Sequence, residues 1–145
     1  MKGRSHALAM LALAAATSLL ASCAATSKDV DMTPHARITV DAHVGKGMTP
    51  DGKNIDNISK DFTTSETVYA VVDVPGRLES KDVKVRWVHG SDVVAEQEMT
   101  VQDGVNVYPF QLAPPSGGLQ PGDYRFEVWI DGKEVEKEAF TVRSA

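Results

Sequence analysis

Leu119-Gln120-Pro121-Gly122-Asp123-Tyr124-Arg125-Phe126-Glu127-Val128-Trp129-Ile130 is the stretch that decides the fold. Its first half is a turn, with Pro121 presetting one backbone angle and Gly122 free to take another. Its second half alternates. Side chains in a strand point to opposite faces with period two, so if Tyr124 points inward, Phe126, Val128 and Ile130 do too. Arg125, Glu127 and Trp129 then face out; an outward Trp129 either exposes a large apolar surface of the kind enriched at binding hot spots or is covered by a loop, such as Ala113 to Gln120 or the long early connection.

Outward from that strand the same period recurs. Arg37 to Val44 sets Ile38, Val40, Ala42 and Val44 against Thr39, Asp41 and His43; Thr67 to Val74 sets Val68, Ala70, Val72 and Val74 on one face. Val83, Val85 and Trp87 share a face opposite Lys84 and Arg86, which predicts Trp87 in the core. Val93 to Val101 and Val105 to Leu112 are expected to form a hairpin through Asp103-Gly104. Gly122 to Ile130 and Glu134 to Val142 are expected to form another through Asp131-Gly132. That makes seven antiparallel strands and an all-β domain, with no helical periodicity after the first two dozen residues. The predicted inward set is Ile38, Val40, Val68, Ala70, Val72, Val85, Trp87, Phe110, Tyr124, Phe126, Val128 and Phe140.

The Leu-x-Pro-Gly-x-Tyr pattern at 119–124 resembles the lead-in to the penultimate strand of immunoglobulin-like and fibronectin type III domains. In those domains the tyrosine hydroxyl bonds back to the preceding connection. Trp87, on the third predicted strand, fits their buried tryptophan. Phe126 stands where antibody-type domains carry their second cysteine, so an apolar contact between the sheets is implied in its place. The resemblance covers about 62–142, implies a two-sheet sandwich and carries no function of its own.

Upstream, Lys2 and Arg4 precede a run of about 14 mostly apolar residues, Ala7 to Leu20, long enough for a secretory leader and short of the ~20 residues of a membrane span. Leu20-Ala21-Ser22-Cys23 resembles the lipobox of bacterial lipoproteins. That resemblance implies cleavage after residue 22 (leader 1–22), diacylglycerol on the Cys23 thiol and an acylated new terminus. Two or three acyl chains make a durable anchor where one does not. Cys23 is the only cysteine, so no intramolecular disulfide is possible. Gram-negative lipoproteins commonly use an Asp after the modified Cys to stay at the inner membrane; Ala24 stands there instead. The implied location is the cell envelope, at the outer membrane facing the periplasm. Residues 23–35 read as the acylated Cys and a flexible tether, and 36–145 as the sandwich domain.

Of 145 residues, 42% are hydrophobic and 24% charged, ordinary values for a globular domain. The formal charge of -5 becomes -7 when Lys2 and Arg4 leave with the leader. An acidic surface without a basic stripe argues against nucleic acid. The long connection from Gly45 to Lys60 holds Asp51, Asn54, Asp56 and Asn57, which lack EF-hand spacing and read as solvated turn residues. His35, His43 and His89 follow no metal-ligand spacing, and no nucleophile elbow or phosphate-binding loop is present.

No cofactor is expected, and no enzymatic activity. The expected function is that of a non-catalytic envelope lipoprotein, held to the membrane through Cys23, whose domain contacts another envelope protein or serves as an accessory subunit. Trp129, Arg125 and Glu127 form the candidate binding face. The alternative is a glycan- or peptidoglycan-binding module using Trp129, Tyr108 or Tyr69.

Overall fold

A computed structural model describes residues 39–74 and 81–145. The leader, Cys23, the tether, His35 and Ile38 lie outside the described residues. The described residues form eight strands: β1 (Asp41–Gly45), β2 (Asp61–Thr63), β3 (Val68–Asp73), β4 (Asp82–His89), β5 (Asp92–Thr100), β6 (Val107–Leu112), β7 (Gly122–Ile130) and β8 (Lys133–Arg143). They form two sheets, one ordered β1-β3-β6 and the other β2-β8-β7-β4-β5.

The alternation read from the sequence decides which faces meet. Tyr124, Phe126, Val128 and Ile130 of β7 are buried, as are Val83, Val85 and Trp87 of β4 and Val68, Ala70 and Val72 of β3. At the centre, the Trp87 ring lies 4.5 Å from Phe126 and 6.1 Å from Phe140, and Phe110 reaches across from the smaller sheet to Phe126 at 6.0 Å. Of the predicted inward set, every member among the described residues is buried. The Asp131-Gly132 hairpin also forms, with Asp131 at φ 51°, Gly132 at φ 75° and Ile130 paired with Lys133.

Three expectations are corrected. The strand count is eight rather than seven, and β2 lies parallel to β8, so the assembly is not wholly antiparallel. Three residues are too few to show a period, which hid β2. Asp103-Gly104 does not close a hairpin either: β5 belongs to the larger sheet and β6 to the smaller, and β5 turns back to β4 through Gly90-Ser91. Gly104 does take positive φ (74°), but the turn carries the chain across the sandwich. Tyr108 pins that crossing, its hydroxyl accepting from the Gln102 N–H (2.9 Å) and donating to the Val105 carbonyl (2.9 Å).

The 45–60 connection is a folded arm. Gly45 bridges Ile58 and Met48 bridges Ile55, with Lys46 N–H donating to the Asn57 carbonyl (2.8 Å) and Asp56 N–H to the Gly47 carbonyl (3.1 Å). At its tip Asp51 accepts from the Thr49 hydroxyl (2.6 Å) and the Lys53 N–H (3.1 Å). Those bonds, the hydroxyl's first, hold its carboxyl below the usual range. The tip leans on the outer side of the smaller sheet, where a Cβ on Gly52 would stand 3.7 Å from Pro109. Val71, next to Pro109 in register, faces outward yet is only 5% exposed.

The Tyr124 hydroxyl donates to the Gln120 carbonyl (2.8 Å), as the resemblance implies. Burial raises its pKa against the opposing effect of that bond. Tyr124→Phe is expected to lower stability by about 1 kcal/mol, the usual net worth of one such bond, read as a reduced urea midpoint at unchanged m-value. An unchanged midpoint would show that the corner bond contributes nothing.

Candidate interaction surfaces

The three residues expected on a binding face come together on the outer side of the larger sheet. Glu127 sits between its strand neighbours: Arg125 Nε donates to Oε1 (3.1 Å) and Trp129 Nε1 to Oε2 (3.0 Å). The result is a carboxylate only 6% exposed with both oxygens engaged. Arg125 also donates to the Gly90 carbonyl (3.1 Å). Trp129 is half-buried, and its cover is not a loop. The Arg86 guanidinium, from the neighbouring strand, lies 4.7 Å over its ring, an attraction between a cation and the ring's negative face.

The ladder continues to the sheet edge. Arg86 Nε pairs with Glu96 (2.7 Å), and Lys84 pairs with Glu96 (3.1 Å) and Glu98 (2.8 Å). Each sign lowers the cost of the other: Arg86 first and Lys84 second depress the Glu96 carboxyl, while Glu98 first and Glu96 second raise the Lys84 ammonium. Towards β7 this face is a self-satisfied polar lattice: the indole N–H and both oxygens of Glu127 and of Glu96 have partners, while Glu98 is engaged through one oxygen.

The histidines are separate. His43 points outward from β1. His89 stacks on Tyr124 (centroids 4.5 Å, 18°) and its Nε2 donates to the Pro121 carbonyl (3.2 Å), which makes it part of the tyrosine corner. Gly122 makes room for it: at φ 141°, a Cβ there would stand 2.6 Å from the His89 Nε2. Among the described residues no group of three His, Cys, Asp or Glu side chains could hold a metal ion.

The aromatics proposed for glycan binding share no face. Tyr108 is buried between the sheets, Trp129 lies outside the larger sheet, and Tyr69 lies outside the smaller one.

A different feature opens at the side of the sandwich. β5 ends the larger sheet and β6 ends the smaller one, and between them runs a groove of about 710 Å³ lined by Met48, Tyr69, Met99, Pro109 and Phe110. Gln97, Glu98 and Gln111 form its rim. Sequence reading missed it because its walls come from the arm and three separate strands. One signal was available. Val93 and Val94 are consecutive, break the alternation, and are 51% and 47% exposed, as befits an edge strand.

Two sheets, a fully buried tryptophan and a tyrosine corner are now in place, and comparison with solved structures agrees. An immunoglobulin-like protein from Pseudomonas aeruginosa superposes with a TM-score of 0.53 at 12% identity, covering 74% of this chain and 98% of its own. The fold is immunoglobulin-like. The PmoD soluble domain from Methylocystis sp. gives a TM-score of 0.48 at 10% identity, covering 74% of this chain and 93% of its own. No family model matches the sequence, and no curated protein does. The immunoglobulin-like domain thus has a known architecture, and its role has to come from its own surfaces.

Proposed function

We propose that this chain is a non-catalytic cell-envelope lipoprotein, anchored through Cys23, whose immunoglobulin-like domain makes protein contacts as a binding module or accessory subunit. The observation that carries the contact reading is the pair of strand edges, β5 and β6, left without a neighbouring strand among the described residues and bordering an apolar groove. Such edges are templates for another chain. The side chains that could do chemistry point the same way. Glu127 spends both oxygens on its neighbours, and His89 is stacked and bonded within the tyrosine corner.

The anchor reading rests on the leader and on Leu20-Ala21-Ser22-Cys23, with Ala24 favouring the outer membrane. Cys23→Ser is expected to give an uncut precursor that takes up no fatty-acid analogue in metabolic labelling. Label retained on the mutant would show that the anchor is elsewhere. For the contact reading, affinity capture of the acylated protein from envelopes is expected to bring down one protein in stoichiometric amount. Capture of the chain alone would count against it.

A further inference from the structure

We infer that the groove between β5 and β6 takes an extended segment of a partner protein, added along the free edge of β5, with basic side chains alternating with apolar ones. This rests on the protein-contact reading and names the surface and the chemistry of the partner.

The backbone supplies the template. β5 runs nine residues, Asp92–Thr100, and among the described residues is paired only with β4. A strand laid along its other side would take up main-chain groups that water now satisfies. The pleat then sorts the side chains. Ala95, Gln97 and Met99 lie opposite Trp87, Val85 and Val83, on the core side; Glu96 and Glu98 lie opposite Arg86 and Lys84, on the outer side. Inward side chains of an added strand would enter the groove against Met99, Phe110 and Tyr69. Its volume of about 710 Å³ falls within the range of about 300 to 1,000 Å³ that buries small ligands.

Charge decides the occupant. β5 carries Asp92, Glu96 and Glu98 and no basic residue. Glu96 spends its two oxygens on Lys84 and Arg86 and Glu98 spends one on Lys84; the second Glu98 oxygen and the Asp92 carboxylate pair with no base among the described residues. Outward residues of an added strand would occupy the mirror position of Lys84 and Arg86, and basic ones fit there. A second copy pairing antiparallel through β5 would set two rows of carboxylates together, and like charges directly opposite are destabilising. The chain's own stretch Asp29-Val30-Asp31-Met32 alternates acidic and apolar residues, which is the wrong sign. A basic strand from a different protein remains.

Methionines provide the reporters: Met48 and Met99 line the groove, and Met32, in the leading segment, lies outside the described residues. The full chain, labelled with carbon-13 at the methionine methyls and held in phosphatidylcholine nanodiscs, would be titrated with an end-blocked peptide of alternating lysine and valine. The Met48 and Met99 signals are expected to move and the Met32 signal to stay. An alternating glutamate and valine peptide is expected to bind roughly tenfold more weakly, from two or three exposed ion pairs. The charge-swapped variant Glu96→Lys with Glu98→Lys is expected to invert that preference. Should that variant not fold, Gln97→Lys, an exposed change at the groove rim, is expected to weaken the lysine peptide several-fold. Still signals at Met48 and Met99, or equal binding of the two peptides, would overturn the inference. So would movement of Met32, which would mean that the chain's own leading segment fills the groove. A partner captured from envelopes but cross-linked away from β5 would leave the contact reading standing and this inference refuted.

Discussion

Replacing Trp87 with alanine is expected to cost about 3 to 5 kcal/mol, a large part of the ~5 to 15 kcal/mol that holds a typical domain together. The side chain has no exposed surface and sits among Phe126, Phe140 and the valines of both sheets. Its ring neighbours Phe126 and Phe140 are strand residues in the core cluster, and a close-packed interior refills such a cavity only in part. Trp87→Phe is expected to cost much less. It keeps a ring against Phe126 and removes an indole N–H that has no hydrogen-bond partner, a group whose burial carries a desolvation penalty of about 1 to 3 kcal/mol. Urea unfolding followed by circular dichroism would rank the two variants, and a phenylalanine variant as weak as the alanine one would remove Trp87 from the centre of the core. The phenylalanine variant also leaves Trp129 as the sole indole. Its fluorescence is expected to respond to iodide, while Trp87, isolated by Trp129→Phe, is expected to be shielded.

Gly45→Ala is the second large effect, expected at about 2 to 4 kcal/mol from overpacking plus lost backbone bonds. A Cβ at Gly45 would fall inside van der Waals contact with the Asn57 carbonyl oxygen and with Ile55 Cγ2. A backbone oxygen cannot rotate away, so the arm would have to lift. The bonds from Lys46 N–H to Asn57 and from Ser59 N–H to Val44 would go with it, and water would reach Val71. Amide hydrogen exchange would read this as lost protection at Lys46, Asp56 and Ser59, with β4 and β7 unchanged. Full protection of those three amides in the variant would mean that the close approach is not what seats the arm.

How much was legible in the sequence depends on how local each feature is. In β7, alternation from Tyr124 to Ile130 and the turn before it carry their own evidence, and burial and the Tyr124–Gln120 bond follow. Asp131-Gly132 was readable because the strands it joins are also partners. Asp103-Gly104 has the same chemistry but a different outcome, since a turn dipeptide fixes backbone angles and leaves open which sheet the next strand joins. Tyr108 pins the crossing through two hydroxyl bonds that no turn dipeptide announces. Trp129 was assigned to the outer face correctly by parity, but its cover by Arg86 depends on strand register. The β5–β6 groove is the least local feature. Met48, Tyr69, Met99 and Phe110 become neighbours only when both sheets have stacked.

The parallel pairing of β2 with β8 sets the order in which the molecule can be completed. Asp61 lies beside Thr141 and Thr63 beside Arg143, so the contact links the early part of the domain to its last strand. β8 also brings Phe140 and Val142 to the core. Contacts between residues so far apart in sequence slow folding, because chain entropy is spent before they form. A chain that emerges amino end first cannot finish this domain until β8 is free. Before that point β7 lacks one neighbour and Phe62 lacks Phe140, against which it packs at 5.3 Å. β8, eleven residues long (Lys133–Arg143), is therefore the strand whose arrival joins β2 to the rest of the larger sheet.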